Sequence, residues 1–141
     1  MDFRIEAITL PVADVNRAKT FYAQAGWHLD VDTEPAPGMR VVQFTPPGSD
    51  CSITFGTGMP QSEPGTYVNT YLVVSDIEAA HRDLKRRGMP VSELYHFGAE
   101  GQTPGVSPNR GDYESYASFT DPDGNAWLVQ EVPSRASPES A

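Results

Sequence analysis

Near the start of the chain, Ile8, Leu10 and Val12 alternate with Ala7, Thr9 and Pro11, the period-two pattern of a half-buried strand. Asp14 follows where a helix N-cap belongs, its carboxylate able to accept orphan backbone N–H groups. Val15, Ala18, Phe21, Tyr22 and Ala25 then recur at helical spacing, and Gly26 supplies a C-terminal stop. The same grammar returns later: Thr70, Leu72 and Val74 alternate, Asp76 caps, Ile77, Ala80 and Leu84 form the stripe, and Gly88 stops it. Val12 and Val74, Asp14 and Asp76, and Gly26 and Gly88 are each 62 residues apart. The chain reads as two copies of one unit.

A second echo joins Phe44-Thr45 through Phe55 to Phe119-Thr120 through Gln130, both reading strand, Pro/Gly/Asp turn, strand, at an offset of 75. The larger offset means that the second copy carries 13 additional residues between Gly88 and Phe119. The turn-rich run from His96 to Asp112 is their natural place. The predicted fold is α+β, two tandem β-α-β-β-β units, with strands near 4–12, 29–34, 39–45 and 51–56, then 67–74, 91–97, 114–120 and 126–132. Repeat 1 spans 4–56, a linker 57–66, repeat 2 67–132, and a frayed tail 133–141.

A length of 141 residues suits one compact domain or two very small halves sharing a core, and 38% hydrophobic residues suffice for that core. The formal net charge of −9 repels phosphate backbones and anionic lipid, so neither nucleic acid nor a membrane surface is an expected partner. No apolar run approaches the roughly 20 residues that span a bilayer. The opening Met1-Asp2-Phe3-Arg4-Ile5-Glu6 lacks a signal-peptide layout, and a lone cysteine, Cys51, cannot form an internal disulfide. The expected location is cytoplasmic.

Ile8-Thr9-Leu10-Pro11-Val12-Ala13-Asp14-Val15 with Ala18 and Phe21-Tyr22, and the closing Phe119-Thr120-Asp121-Pro122-Asp123-Gly124-Asn125, carry a family likeness. They make the chain resemble the vicinal oxygen chelate superfamily, which includes glyoxalase I, bleomycin-resistance proteins and extradiol dioxygenases. The resemblance implies a curled mixed sheet around a cavity between the repeats. It also implies, for enzymatic members, a divalent metal held by one residue from each of four strands. Those positions fall here on Ala7, Ile53, Asn69 and Leu128. One neutral amide among three aliphatic side chains cannot hold a divalent cation against water, so no metal and no cofactor is expected.

Family membership leaves the chemistry open. Alternation puts Ala7, Thr9, Asn69, Tyr71 and Val73 on the cavity side, joined by Ile53, Phe55, Leu128 and Gln130 from the closing strands. His96, Tyr113 and Tyr116 flank the insertion. The expected ligand-binding set is therefore Thr9, Phe55, Asn69, Tyr71, His96, Tyr113, Tyr116 and Gln130, suited to a flat organic molecule. His96 is also the candidate acid or base, with an ordinary structural histidine as the competing reading. His28 reads as a surface residue, His81 as a partly buried structural one, and Cys51 as unreactive.

The function expected from this set is metal-independent binding of an aromatic or amphipathic metabolite. The alternative is a lyase, isomerase or dioxygenase using unusual ligands such as Glu6, His96 or Glu131. The insertion is expected to act as a lid or binding loop. A homodimer is expected, because eight strands with two helices leave much sheet edge to cover.

Overall fold

Both predicted helices begin at their aspartates. The Asp14 carboxylate accepts the Arg17 N–H at 3.0 Å and opens α1 (Val15–Gln24), whereas Asp76 accepts from Glu78 and Ala79 and opens α2 (Ile77–Arg86). Gly26 and Gly88 follow with φ of 86° and 75°, the left-handed region that glycine enters without steric cost. These features come from a computed structural model, which describes residues 1–68 and 70–136. Among the described residues no helix is long and apolar enough to cross a membrane.

The chain forms two compact units. The first holds Met1–Tyr67 together with Asp121–Asn125, and the second holds Val68–Thr120 and the chain from Ala126 onward. In the first, β1 (Ala7–Thr9), β2 (His28–Ala36), β3 (Met39–Thr45) and β4 (Ser52–Thr57) make one sheet in the order β1-β4-β3-β2. In the second, β5 (Thr70–Val74), β6 (Tyr95–Gly98), β7 (Gly101–Pro104), β8 (Ser115–Thr120) and β9 (Ala126–Glu131) run β5-β9-β8-β6-β7. The β1–β4 and β5–β9 ladders are parallel and the others antiparallel, so both sheets are mixed and the α+β expectation is met.

Several boundaries move. The strands number nine among the described residues, because the insertion folds part of itself into β7, a hairpin partner of β6. Residues 91–94 are not strand; the Ser92 N–H still bonds the Ser118 carbonyl at 2.8 Å. Pro133–Arg135 forms a 3₁₀ turn where a frayed tail was expected, and the tail's last five residues, 137–141, lie outside the described residues.

One correction changes which side chains share a face. Phe44 pairs with Ile53 and Phe119 with Trp127, so the second hairpin turn is one residue shorter than the first. Beyond the turn the repeat offset is therefore 74, and Leu128 corresponds to Thr54 rather than Ile53. A one-residue slip moves every side chain to the opposite face. Ile53 and Phe55 accordingly point toward α1, into the core of the first unit.

That core is aromatic. Tyr22 of α1 meets Trp27, Phe55 and Phe44 at ring separations of 5.0, 5.9 and 6.3 Å, and Phe44 stacks on Phe55. The turn Asp121–Asn125 closes the same unit. Asp121 accepts the buried Tyr22 hydroxyl at 2.8 Å, and Asn125 Nδ2 donates to the Pro11 carbonyl at 2.8 Å. The second unit buries Ile77, Met89, Val91, Ala117, Phe119, Trp127, Val129 and Val132, and with them one carboxylate, Glu131, at 0% exposure.

Candidate functional site

The insertion of the second unit is anchored by that buried carboxylate. Arg110 grips Glu131 as a fork, Nε to Oε1 at 2.9 Å and Nη2 to Oε2 at 2.6 Å, and its remaining nitrogen reaches Glu78. The Ile77 N–H, at the start of α2, donates to Glu131 Oε2 at 2.9 Å. Arg110 and the α2 N-terminus both favour the anion. The fork first, with the Ile77 N–H assisting, holds the Glu131 carboxyl below its ordinary value against the opposing effect of burial. Glu131 first, with Glu78 assisting, pushes Arg110 above its ordinary value.

Two residues of this loop, Arg110 and Tyr113, sit at positive φ of 50° and 63°, a costly conformation for non-glycine side chains. It is fixed from several sides. Tyr113 N–H donates to the Glu131 carbonyl at 2.8 Å, Tyr113 carbonyl accepts the Tyr116 hydroxyl, and Asp112 accepts from Ser134. The insertion is a tied strap.

Beneath the strap lies a depression of about 330 Å³ lined by His96, Phe97, Ser107, Tyr113, Glu114 and Tyr116. Phe97 and Tyr116 meet at 5.6 Å and 61°, and Tyr95 packs on both. His96 Nδ1 donates to the Gly105 carbonyl at 2.8 Å, which places a proton on Nδ1. Glu114 Oε1 accepts the Ser107 hydroxyl at 2.7 Å.

The structure thus brings together three of the expected ligand-binding residues, His96, Tyr113 and Tyr116. Gln130 is level with Tyr116 across the β8–β9 ladder, and Tyr71, 59% exposed, is level with Leu128 on the same open face of the second sheet. Thr9 belongs to the first unit, where its hydroxyl stands 3.2 Å from that of Thr54. Phe55 is wholly buried in the first unit's core, so it cannot line an open face; the residue that does so is Thr54. Asn69 lies outside the described residues. The sequence reading passed over Phe97, Ser107 and Glu114. Phe97 was open to discovery, since it stands two residues from Tyr95 in a strand.

Residues 4–129 match the family described as the Glyoxalase/Bleomycin resistance protein/Dioxygenase superfamily. The chain belongs to this superfamily. Among solved structures of similar fold is TnmS3, an antibiotic binding protein from Streptomyces sp. CB03234. It is 27% identical, covers 93% of this chain and 97% of its own, and has a TM-score of 0.70. A glyoxalase/bleomycin resistance protein from the same organism is 28% identical over 91% of this chain and 100% of its own, TM-score 0.67. A superfamily member from Sphaerobacter thermophilus DSM 20745 is 26% identical over 92% and 98%, TM-score 0.69. A comparison with curated protein sequences finds no match.

The metal of the superfamily's enzymes finds a poor donor set here. With the register corrected, its described positions are Ala7, Thr54 and Leu128, which offer a methyl, a hydroxyl shared with Thr9, and an isobutyl group. Of the unusual ligands considered, Glu131 is committed to Arg110 and the Ile77 N–H, and Glu6 is exposed ahead of β1. Among the described residues no group of three or more His, Cys, Asp or Glu side chains is placed to hold a metal ion.

Proposed function

We propose that this protein binds a small, partly aromatic organic molecule without a metal, and that His96, Tyr113 and Tyr116 contact it. The observation that carries the reading is the depression beneath the strap. Rings from β6, β8 and the insertion converge there with a few fixed polar groups, the usual make-up of an organic-ligand site. Two similar structures with 27% and 28% identity, an antibiotic binding protein and a glyoxalase/bleomycin resistance protein, support an antibiotic-like ligand class. The open face of the second sheet extends the contact area through Tyr71 and Gln130.

Titration of the purified protein with the neutral bicyclic probe coumarin and with aromatic antibiotics, before and after treatment with EDTA, tests this. Saturable binding that survives chelation and weakens in Tyr116→Ala is the expected result. No binding, or binding abolished by EDTA and restored by a divalent metal, overturns it. The reading includes a homodimer, which covers exposed apolar side chains such as Val68 and Val73, and sedimentation as a monomer at micromolar concentration contradicts that part.

A further inference from the structure

We propose that the depression beneath the strap recognises a positively charged alkylammonium group, so that the ligand is an amine or quaternary ammonium compound. This rests on the reading of the depression as the ligand site and adds the charge of what enters it. The argument is the sign of the lining. Phe97, Tyr113 and Tyr116 present aromatic rings, whose faces are electron-rich and attract cations. Phe97 and Tyr116 form a corner at 61°, Phe97 is 63% exposed and Tyr113 50%, so the rings are available rather than spent on the core.

The polar groups have the same sign. Glu114 contributes a carboxylate, and the Ser107 hydroxyl, which donates to it and accepts the Arg110 N–H, has no donor left for an anion. His96 lines the depression with its Nδ1–H spent on the Gly105 carbonyl. None of the lining residues is Lys or Arg. The cation of the strap itself, Arg110, is drawn away into Glu131 and Glu78, and Arg135 meets Tyr113 through its hydroxyl at 3.3 Å. A site built from aromatic rings and a carboxylate, with no Lys or Arg in its lining, repels anions and gives a neutral hydrocarbon no use for its carboxylate. A net charge of −9 adds long-range attraction for a cation approaching from solution.

The test compares choline with 3,3-dimethylbutan-1-ol, which has the same shape with carbon in place of the charged nitrogen, by following the ring resonances of the intact protein. Coumarin serves as the neutral aromatic control. Choline is expected to shift the Phe97, Tyr113 and Tyr116 signals and to bind at least tenfold tighter than the alcohol. Glu114→Gln and Phe97→Ala should each weaken choline at least threefold and leave the alcohol unchanged. Phe97→Ala removes a largely exposed ring, so folding is not at stake in it. Equal affinity for choline and the alcohol overturns the charge assignment, and coumarin binding in that case leaves the ligand site standing. If none of the three probes titrates, both the assignment and the site fall.

Discussion

The two units share a grammar of strand, capped helix and hairpin, yet they spend their faces differently. In the first, the rings are packed toward the helix, with Tyr22, Phe44 and Phe55 in contact and the Tyr22 hydroxyl held by buried Asp121. Its open face is a polar track in which Asp30 accepts from Thr45, Gln43 and His28, and Thr9 meets Thr54. Those contacts, Thr45 foremost, hold the Asp30 carboxyl below its usual value. The second unit places rings on its open face. That face carries Tyr71, Tyr95 and Tyr116, and the fully buried Glu131 is gripped from the side by the partly exposed Arg110. Both units also place an arginine against the start of their helix: Arg40 on Asn16 and Asp32 in the first, Arg110 on Glu78 and Glu131 in the second. Only the second clamp has a fully buried carboxylate, and only the second fixes an insertion. The comparison teaches that the added loop came with its own anchor, and that aromatic surface was left free where the anchor holds the loop over it.

The strongest challenge to this contrast is Phe55→Ala. With Phe55 in the core, the loss of a fully buried ring should lower unfolding free energy by about 4 kcal/mol in urea denaturation. If Phe55 instead lined a ligand face, stability would hold and ligand affinity would drop. Next comes Arg110→Met, which strands Glu131 without its fork and should cost about 3 kcal/mol. Arg40→Met, its counterpart in the first unit, leaves a carboxylate, Asp32, that is partly exposed and still paired with Lys19, and should cost about 1 kcal/mol. Equal losses from the two arginine variants would erase the distinction between the clamps.

The same clamp predicts a pH dependence. Glu131 is depressed in the folded state, so the unfolded chain binds the proton more readily. Its contribution is complete above the unfolded glutamate value of about 4.3 and is lost as pH falls through the lower folded value. Acid titration of stability should show this decline in the parent protein and a shallower one in Arg110→Met. The caps should show small, matched effects: Asp14→Ala and Asp76→Ala should each cost about 1 kcal/mol, because both carboxylates cap the helix of their unit. A large inequality there would mean that the repeat is less regular than its geometry.

Much of the fold was legible because its signals are local. Asp14, Asp76, Gly26 and Gly88 act on backbone within a turn of themselves, so spacing alone locates both helices. The closing strand was misaligned because Phe44 and Phe119 precede the turn, and nothing before a turn reports how many residues it contains. Phe55 was misplaced for that reason alone. The strap was read as a loop because Glu131 and Arg110 are 21 residues apart, and no periodicity links a charge to a partner across a sheet. Within the site, His96, Tyr113 and Tyr116 were visible as residues flanking an insertion. Glu114 was not, since a carboxylate gains meaning only from the rings around it.

The turn Asp121–Asn125 has a consequence in time. Its partners in the first unit lie far back along the chain, 99 residues from Asp121 to Tyr22 and 114 from Asn125 to Pro11. At a synthesis rate of roughly 5–20 residues per second, the chain waits about 5–20 s between making Tyr22 and making the group that accepts its hydroxyl. During that interval the Pro11 carbonyl and the Tyr67 N–H are without the Asn125 side chain that later bridges them. The first unit therefore begins to form early and finishes late, its last polar contacts supplied by a five-residue turn made 99 residues after Tyr22, and slow long-range closure of this kind governs how quickly a newly made chain reaches its native state.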